Sequence, residues 1–155
     1  MSDAFETQFI TAADKPALVA LSNPGWLEAA KKVLKELGYK AHVAATHQEF
    51  TTRFNQVRYH AVITEELFAA GNPGENLTLK SLQMMPVGQR RHATIILIGN
   101  SFKTFEPMQA FQQSVHAVIN GAEISMLKQI VEKAVADNDL FLYGFRDAQK
   151  RIASL

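Results

Sequence analysis

The chain contains no cysteine. That excludes disulfides, thiolate catalysis and cysteine-based zinc sites together, and it leaves the redox compartment unspecified because a zero count suits any. Net charge is nearly absent as well, with 16 Lys and Arg against 15 Asp and Glu and a formal charge of +1. No global electrostatic attraction to nucleic acid or an anionic membrane follows from that balance. Long apolar runs are also missing. Runs such as Ala17 to Leu21 and Ile95 to Ile98 fall far short of the roughly 20 residues that span a bilayer. The opening MSDAFETQF has neither the basic start nor the apolar middle of a signal peptide, so a cytoplasmic protein is expected. No glycine-rich phosphate loop follows the first apolar run, where Gly25 stands alone and Pro24 removes a backbone donor. A serine nucleophile elbow is absent too.

What remains is enough for one domain with short extensions: 155 residues, 47% of them hydrophobic and 20% charged. Five apolar runs alternate with amphipathic stretches. The strand candidates are Ala17 to Leu21, Tyr39 to Ala45 (nearer a sheet edge), Tyr59 to Thr64, Thr94 to Ile98 and Ala117 to Ile119. Between them, helical spacing predicts a helix over Trp26 to Leu37 ended by Gly38, and weaker helices over Gln48 to Val57 and Leu77 to Met85. A short helix over Phe105 to Ser114 and a final one from about Ala122 follow. Pro86-Val87-Gly88 reads as a stop, and Asp137-Asn138-Asp139 as punctuation of the last helix. Strict β-α alternation argues for a parallel sheet with helices on both faces.

Residues 1–15, with Phe5, Phe9 and Ile10, form an N-terminal arm that is either an added edge strand or a frayed end. Residues 16–137 form the main domain, and 138–155 a C-terminal helical extension. That extension carries Leu140, Phe141, Leu142, Tyr143 and Phe145, too apolar to leave in water, so it folds back in cis or packs on a partner chain. His42 and His60 are candidate neighbours on adjacent strands. The histidines at 42, 47, 60, 92 and 116 show no ligand spacing, and partly buried or surface positions are the ordinary expectation. Gln89-Arg90-Arg91-His92 reads as a solvated turn.

With the strands placed, residues from about Pro16 to Asp137 resemble the receiver domain of two-component response regulators. The likeness rests on β-α order, on Leu37-Gly38-Tyr39 and on Tyr59-His60-Ala61-Val62-Ile63. It implies a flavodoxin-like, receiver-like three-layer sandwich: a five-stranded parallel sheet in 2-1-3-4-5 order with helices on both faces. Chemistry in such folds gathers at the carboxyl ends of the strands. A catalytic receiver holds Mg²⁺ there with two acidic residues, which match Ser22 and Asn23 here. Its phosphoacceptor Asp matches Glu65, or Thr64 if the register slips by one. Its hydroxyl residue matches Ile98, and its Lys matches Asn120, followed by Gly121. Every member of that set has changed type. Phosphoryl transfer depends on positive charge around the transferring oxygens, and none is left. Glu65 is either a solvated loop residue beside Glu66, the ordinary reading, or a fixed mimic of a phosphorylated acceptor.

A looser resemblance joins Met85-Pro86, Arg90-Arg91, Phe102, Thr104, Met108, Ala110-Phe111, Ser114-Val115 and Asn120 to uncharacterised bacterial receiver-like proteins. Some of those carry a zinc ribbon that a chain without cysteine cannot have. The resemblances imply a non-enzymatic pseudo-receiver, a protein-interaction module of bacterial signalling that works as a homodimer. No cofactor, obligatory metal, nucleic acid or membrane is expected. The interaction face would be formed by Phe102, Phe105, Met108, Met126, Leu140, Phe141, Tyr143 and Phe145. The alternatives are a phosphoryl-accepting regulator with an atypical site, and a small-ligand sensor using the emptied crevice.

Overall fold

A computed structural model describes residues 9–154. Its strands are β1 (Lys15–Ala20), β2 (Tyr39–Val43), β3 (Ala61–Glu65), β4 (Thr94–Gly99) and β5 (Ala117–Asn120). They form one parallel sheet in the order β2-β1-β3-β4-β5. The helices are α1 (Pro24–Glu36), α2 (His47–Gln56), α3 (Leu77–Met84), α4 (Val87–Arg90), α5 (Pro107–Gln113) and α6 (Leu127–Ala153).

The central strands are aliphatic on both faces because both faces are covered. Leu18, Val62, Ile95, Leu97 and Val118 pack against Phe50, Phe54, Phe68, Leu79, Leu82 and Ala110 of the α2, α3 and α5 side. Val19, Ile63, Ile96, Ile98 and Ile119 pack against Ala30, Leu34, Leu127, Ile130, Val131 and Ala134 of α1 and α6. Each such branched side chain, fully out of water, contributes about 1.5–3 kcal/mol of transfer free energy. β2, on the sheet edge, is only half-buried over most of its length, as its alternation predicts. The receiver-like three-layer sandwich and its strand order are those the resemblance implied.

Local chemistry sets the helix ends. The Asn23 side chain accepts from the Gly25 and Trp26 amides, and Pro24 occupies the first turn of α1. Gly38, at φ +82°, takes the left-handed turn that ends it. Thr46 caps α2 and Asn76 caps α3.

Several local expectations shift. Tyr59 precedes β3, and Phe105 lies in the β4–α5 loop at φ +62° instead of opening a helix. Pro86 stops α3, but a short helix, α4, follows at once. A 3₁₀ segment, Gly121–Met126, precedes α6. The punctuation expected at residues 137–139 does not occur, since α6 runs through them unbroken. Asn138 is tolerated mid-helix because it is buried and its Nδ2 donates to Thr94 Oγ1 at 3.1 Å. His42 and His60 are not on adjacent strands: β1 separates β2 from β3, and His60 lies outside β3. His42 Nδ1 instead meets the Tyr59 hydroxyl at 2.7 Å.

Of the N-terminal arm, Phe5 lies outside the described residues. Phe9 is exposed, its carbonyl accepts from Lys40 Nζ at 3.0 Å, and Lys40 also pairs with Asp14 at 3.1 Å. Residues 9–14 form no strand.

Candidate functional site

The β1–α1 loop, the ends of β3 and β4 and the loop after β5 meet at the carboxyl edge of the sheet. Glu65 ends β3 and is only 5% exposed, so the expected solvated residue is instead buried. Its Oε1 accepts the backbone N–H of Ser22 and, at 2.9 Å, that of Asn23. Those amides lead into α1, where unsatisfied N–H groups and the helix dipole favour an anion. A side chain of the protein itself therefore takes up these two loop amides.

The surroundings hold it there. Ser22 Oγ accepts from the Ala69 amide at 2.8 Å, tying the β1–α1 loop to the segment after β3. Asn76, fully buried, donates to the Glu65 and Glu66 carbonyls at 2.9 and 3.0 Å, while its Oδ1 accepts the Leu79 amide at 3.0 Å. The Glu66 carboxylate accepts from Ser101 Oγ at 2.9 Å. Among the described residues neither Glu65 nor Glu66 forms an ion pair with a lysine or arginine.

The far wall is closed by hydrogen bonds from Asn120. Its Nδ2 donates to the Phe102 carbonyl at 2.8 Å, and its Oδ1 accepts from Ala122 at 2.9 Å. Its amide donates to Thr104 Oγ1 at 3.0 Å, and the Phe105 amide reaches the Val118 carbonyl at 2.9 Å. The β4–α5 loop is thus fastened over the end of β5. Gly121 beside it has no room for a side chain: a Cβ there would lie 2.1 Å from the Trp26 ring and 2.7 Å from Asn100 Oδ1. Trp26, read in the sequence only as a helix-face residue, packs on this backbone.

Ser22 and Asn23 are thus joined to Glu65 by hydrogen bonds, whereas Asn120, at the end of β5 with β4 between, bonds to Asn100, Phe102, Thr104 and Ala122. Ile98 is at the same edge, paired with Glu65 across the β3–β4 ladder, but its side chain is wholly buried and only its carbonyl, accepting from Glu66 at 2.9 Å, takes part. Sequence reasoning missed Asn76, Ser101 and Thr104. Only Asn76, a cap residue ahead of an apolar helix, carried a local signal.

The positions matched to the metal-binding acids, Ser22 and Asn23, are neutral where a hard cation prefers carboxylate oxygen, and Glu65 Oε1 already accepts two backbone amides. Among the described residues no group of three or more His, Asp or Glu is placed to hold a metal ion.

The expected interaction face is only partly a surface. Phe102 is inside the core at 6% exposed, because the β4–α5 loop turns it inward, so it offers nothing to a partner. Phe105 is half-buried. Met108, Met126, Leu140, Phe141, Tyr143 and Phe145 are exposed, and Phe111 joins them.

The Gln89–His92 cluster is more than a solvated turn. Arg90 Nη1 donates to the Ser114 carbonyl at 2.8 Å, Arg91 covers the Phe141 ring at 4.1 Å, and His92 stacks on Phe54. Burial, with Arg58 and His60 adding to it, pushes His92 down to about 4, and its two ring nitrogens lack hydrogen-bond partners. His116 is likewise pushed down to about 4, by burial and then by Arg91 and Arg90, and its Nδ1 accepts the Ile95 amide at 2.9 Å.

No protein-family model matches the chain, and no curated protein matches it in sequence. Solved structures do. A response regulator from Thermotoga maritima superposes with a TM-score of 0.61 at 12% identity, covering 79% of this chain and 98% of that one. The receiver domain of a sensor histidine kinase from Pseudomonas aeruginosa, with magnesium coordinated in its active-site cleft, gives 0.61 at 15%, covering 80% and 99%. A receiver domain protein from Methanospirillum hungatei gives 0.62 at 15%, covering 82% and 98%. Among the described residues no helix is long and apolar enough to cross a membrane. The chain has the fold of response-regulator receiver domains.

Proposed function

We propose that this chain is a pseudo-receiver: a non-enzymatic protein-interaction module of bacterial two-component-type signalling that works in the cytoplasm through a homodimer. The single observation that carries the reading is the Glu65 carboxylate seated on the Ser22 and Asn23 amides. It engages both loop amides in advance, and among the described residues no lysine or arginine pairs with it to support phosphoryl transfer. The Asn120 hydrogen bonds hold the β4–α5 loop in one position, so state is carried by contacts and not by a phosphorylation cycle. Trp26 packed on Gly121 speaks against a small ligand taking the vacated space.

The test is incubation of the purified chain with Mg²⁺ and acetyl phosphate, followed by intact mass. No phosphoryl adduct is expected. An adduct localised to Glu65 or Thr64 would sink the reading in favour of a phosphoryl-accepting regulator.

A further inference from the structure

At the amino edge of the sheet, the end opposite Glu65, lies a cavity of about 320 Å³. From the sheet layer it is lined by Arg58 and His60, ahead of β3, and by His92, ahead of β4. From α6 it is lined by Asp139, Tyr143 and Arg146. Its volume falls at the lower end of small-molecule sites, which span about 300–1,000 Å³.

The arginines indicate what charge the cavity takes. Elsewhere in the chain every arginine is engaged. Arg53 pairs with Glu49 and Arg151 with Asp147, Arg90 donates to the Met85 and Ser114 carbonyls, and Arg91 covers the Phe141 ring. Arg58 and Arg146 are the exceptions: among the described residues neither has a hydrogen bond or an ion pair, and both line this cavity. Asp139 is the one carboxylate of the lining, set against two guanidinium groups. A guanidinium presents a fork of N–H donors matched to carboxylate or phosphate. Two of them call for more charge and more oxygens than one carboxylate has. A phosphate monoester, with about −1.5 to −2 charge and three acceptor oxygens, supplies both.

His92 adds an independent sign. Its ring lines the same cavity, and both its nitrogens are buried without a hydrogen-bond partner. Buried polar atoms are ordinarily satisfied by protein, water or ligand, so the hydrogen bonding at this spot is incomplete.

We propose that this cavity binds a phosphate group, free or carried on a small molecule, held by Arg58 and Arg146. The site goes beyond the pseudo-receiver reading and does not depend on it, since it lies at the other edge of the sheet and involves no phosphoryl transfer. Arg146 stands on α6 beyond Asn138, so the ligand would tie the C-terminal extension to the sheet layer.

Titration of the full chain with inorganic phosphate and with phenyl phosphate, followed by amide NMR shifts, tests it. Saturable shifts centred on residues 58–60 and 142–146 are expected. Arg58→Gln and Arg146→Gln, both at exposed positions, each weaken binding roughly tenfold or more, while Arg151→Gln leaves it unchanged. Circular dichroism checks that the variants fold. Tighter binding of phenyl phosphate assigns the site to a small-molecule monoester, and equal or tighter binding of inorganic phosphate assigns it to the free ion. Absence of saturable binding overturns the proposal, as does binding indifferent to both arginine variants. Acetate or phenol binding as tightly as phenyl phosphate, or shifts centred on Ser22 and Asn23, would overturn it too. A covalent adduct on Glu65 in the phosphodonor experiment would remove the pseudo-receiver reading and leave this site standing.

Discussion

Glu65→Ala removes the carboxylate that joins the end of β3 to the β1–α1 loop. The two amides it satisfies would then lose their shared acceptor. A hydrogen bond to a charged group contributes about 1.5–3 kcal/mol, and two that share one oxygen are not additive. A loss of about 2–4 kcal/mol is therefore expected for Glu65→Ala, and about 1–2 kcal/mol for Glu65→Gln, which keeps an acceptor but loses the charge. Urea unfolding read by fluorescence is suited to the test. Trp26 is the only tryptophan, and it rests on Gly121 at the same crevice. The truncation leaves two amides at a helix N-terminus, so acetate in tens of millimolar should recover part of the lost stability of Glu65→Ala and none in the unmutated chain. A Glu65→Ala variant within about 0.5 kcal/mol of the parent, the level of ordinary surface substitutions, would refute the account of a carboxylate that bolts the crevice shut.

Three further outcomes follow from the geometry. Gly121→Ala drives a methyl into the Trp26 ring and should cost about 1–3 kcal/mol with a shifted emission maximum; unchanged emission and stability would contradict the packing. Asn76→Ala unties the Glu65 and Glu66 carbonyls and uncaps α3, with an expected loss of about 2–3 kcal/mol in thermal or urea unfolding. His92 and His116 are held below their ordinary value, so the unfolded chain binds protons that the folded chain refuses. Stability should fall as pH drops from about 6.5 to about 4 and level off below that. His92→Phe keeps the stack on Phe54, removes two unpartnered nitrogens, and should flatten part of that acid-side loss in unfolding curves measured at pH 5 and pH 7.5.

Much of the sheet was legible from local pattern. Ala17 to Leu21 and Thr94 to Ile98 announce strands buried on both faces, and Asn23-Pro24 announces a helix start, because periodicity and cap chemistry act over a few residues. The errors came where a tertiary partner overrides local preference. Asp137-Asn138-Asp139 looks like a break until Asn138 finds Thr94, 44 residues earlier, and Phe102 looks like surface until its loop folds inward. The Gln89–His92 cluster looked solvated, but Ser114, Phe141 and Phe54 hold its side chains.

The same division applies to the crevice. Residue identities alone established that Ser22 and Asn23 offer no carboxylate, Ile98 no hydroxyl and Asn120 no cation, because those capacities belong to the side chain itself. They left open whether Glu65 faced water. Only the tertiary structure decided that, by bringing amides 42 and 43 residues away onto one carboxylate oxygen and a tryptophan onto Gly121. A side chain's chemistry is written in its type, but whether it is solvated or bonded depends on neighbours that only folding brings together.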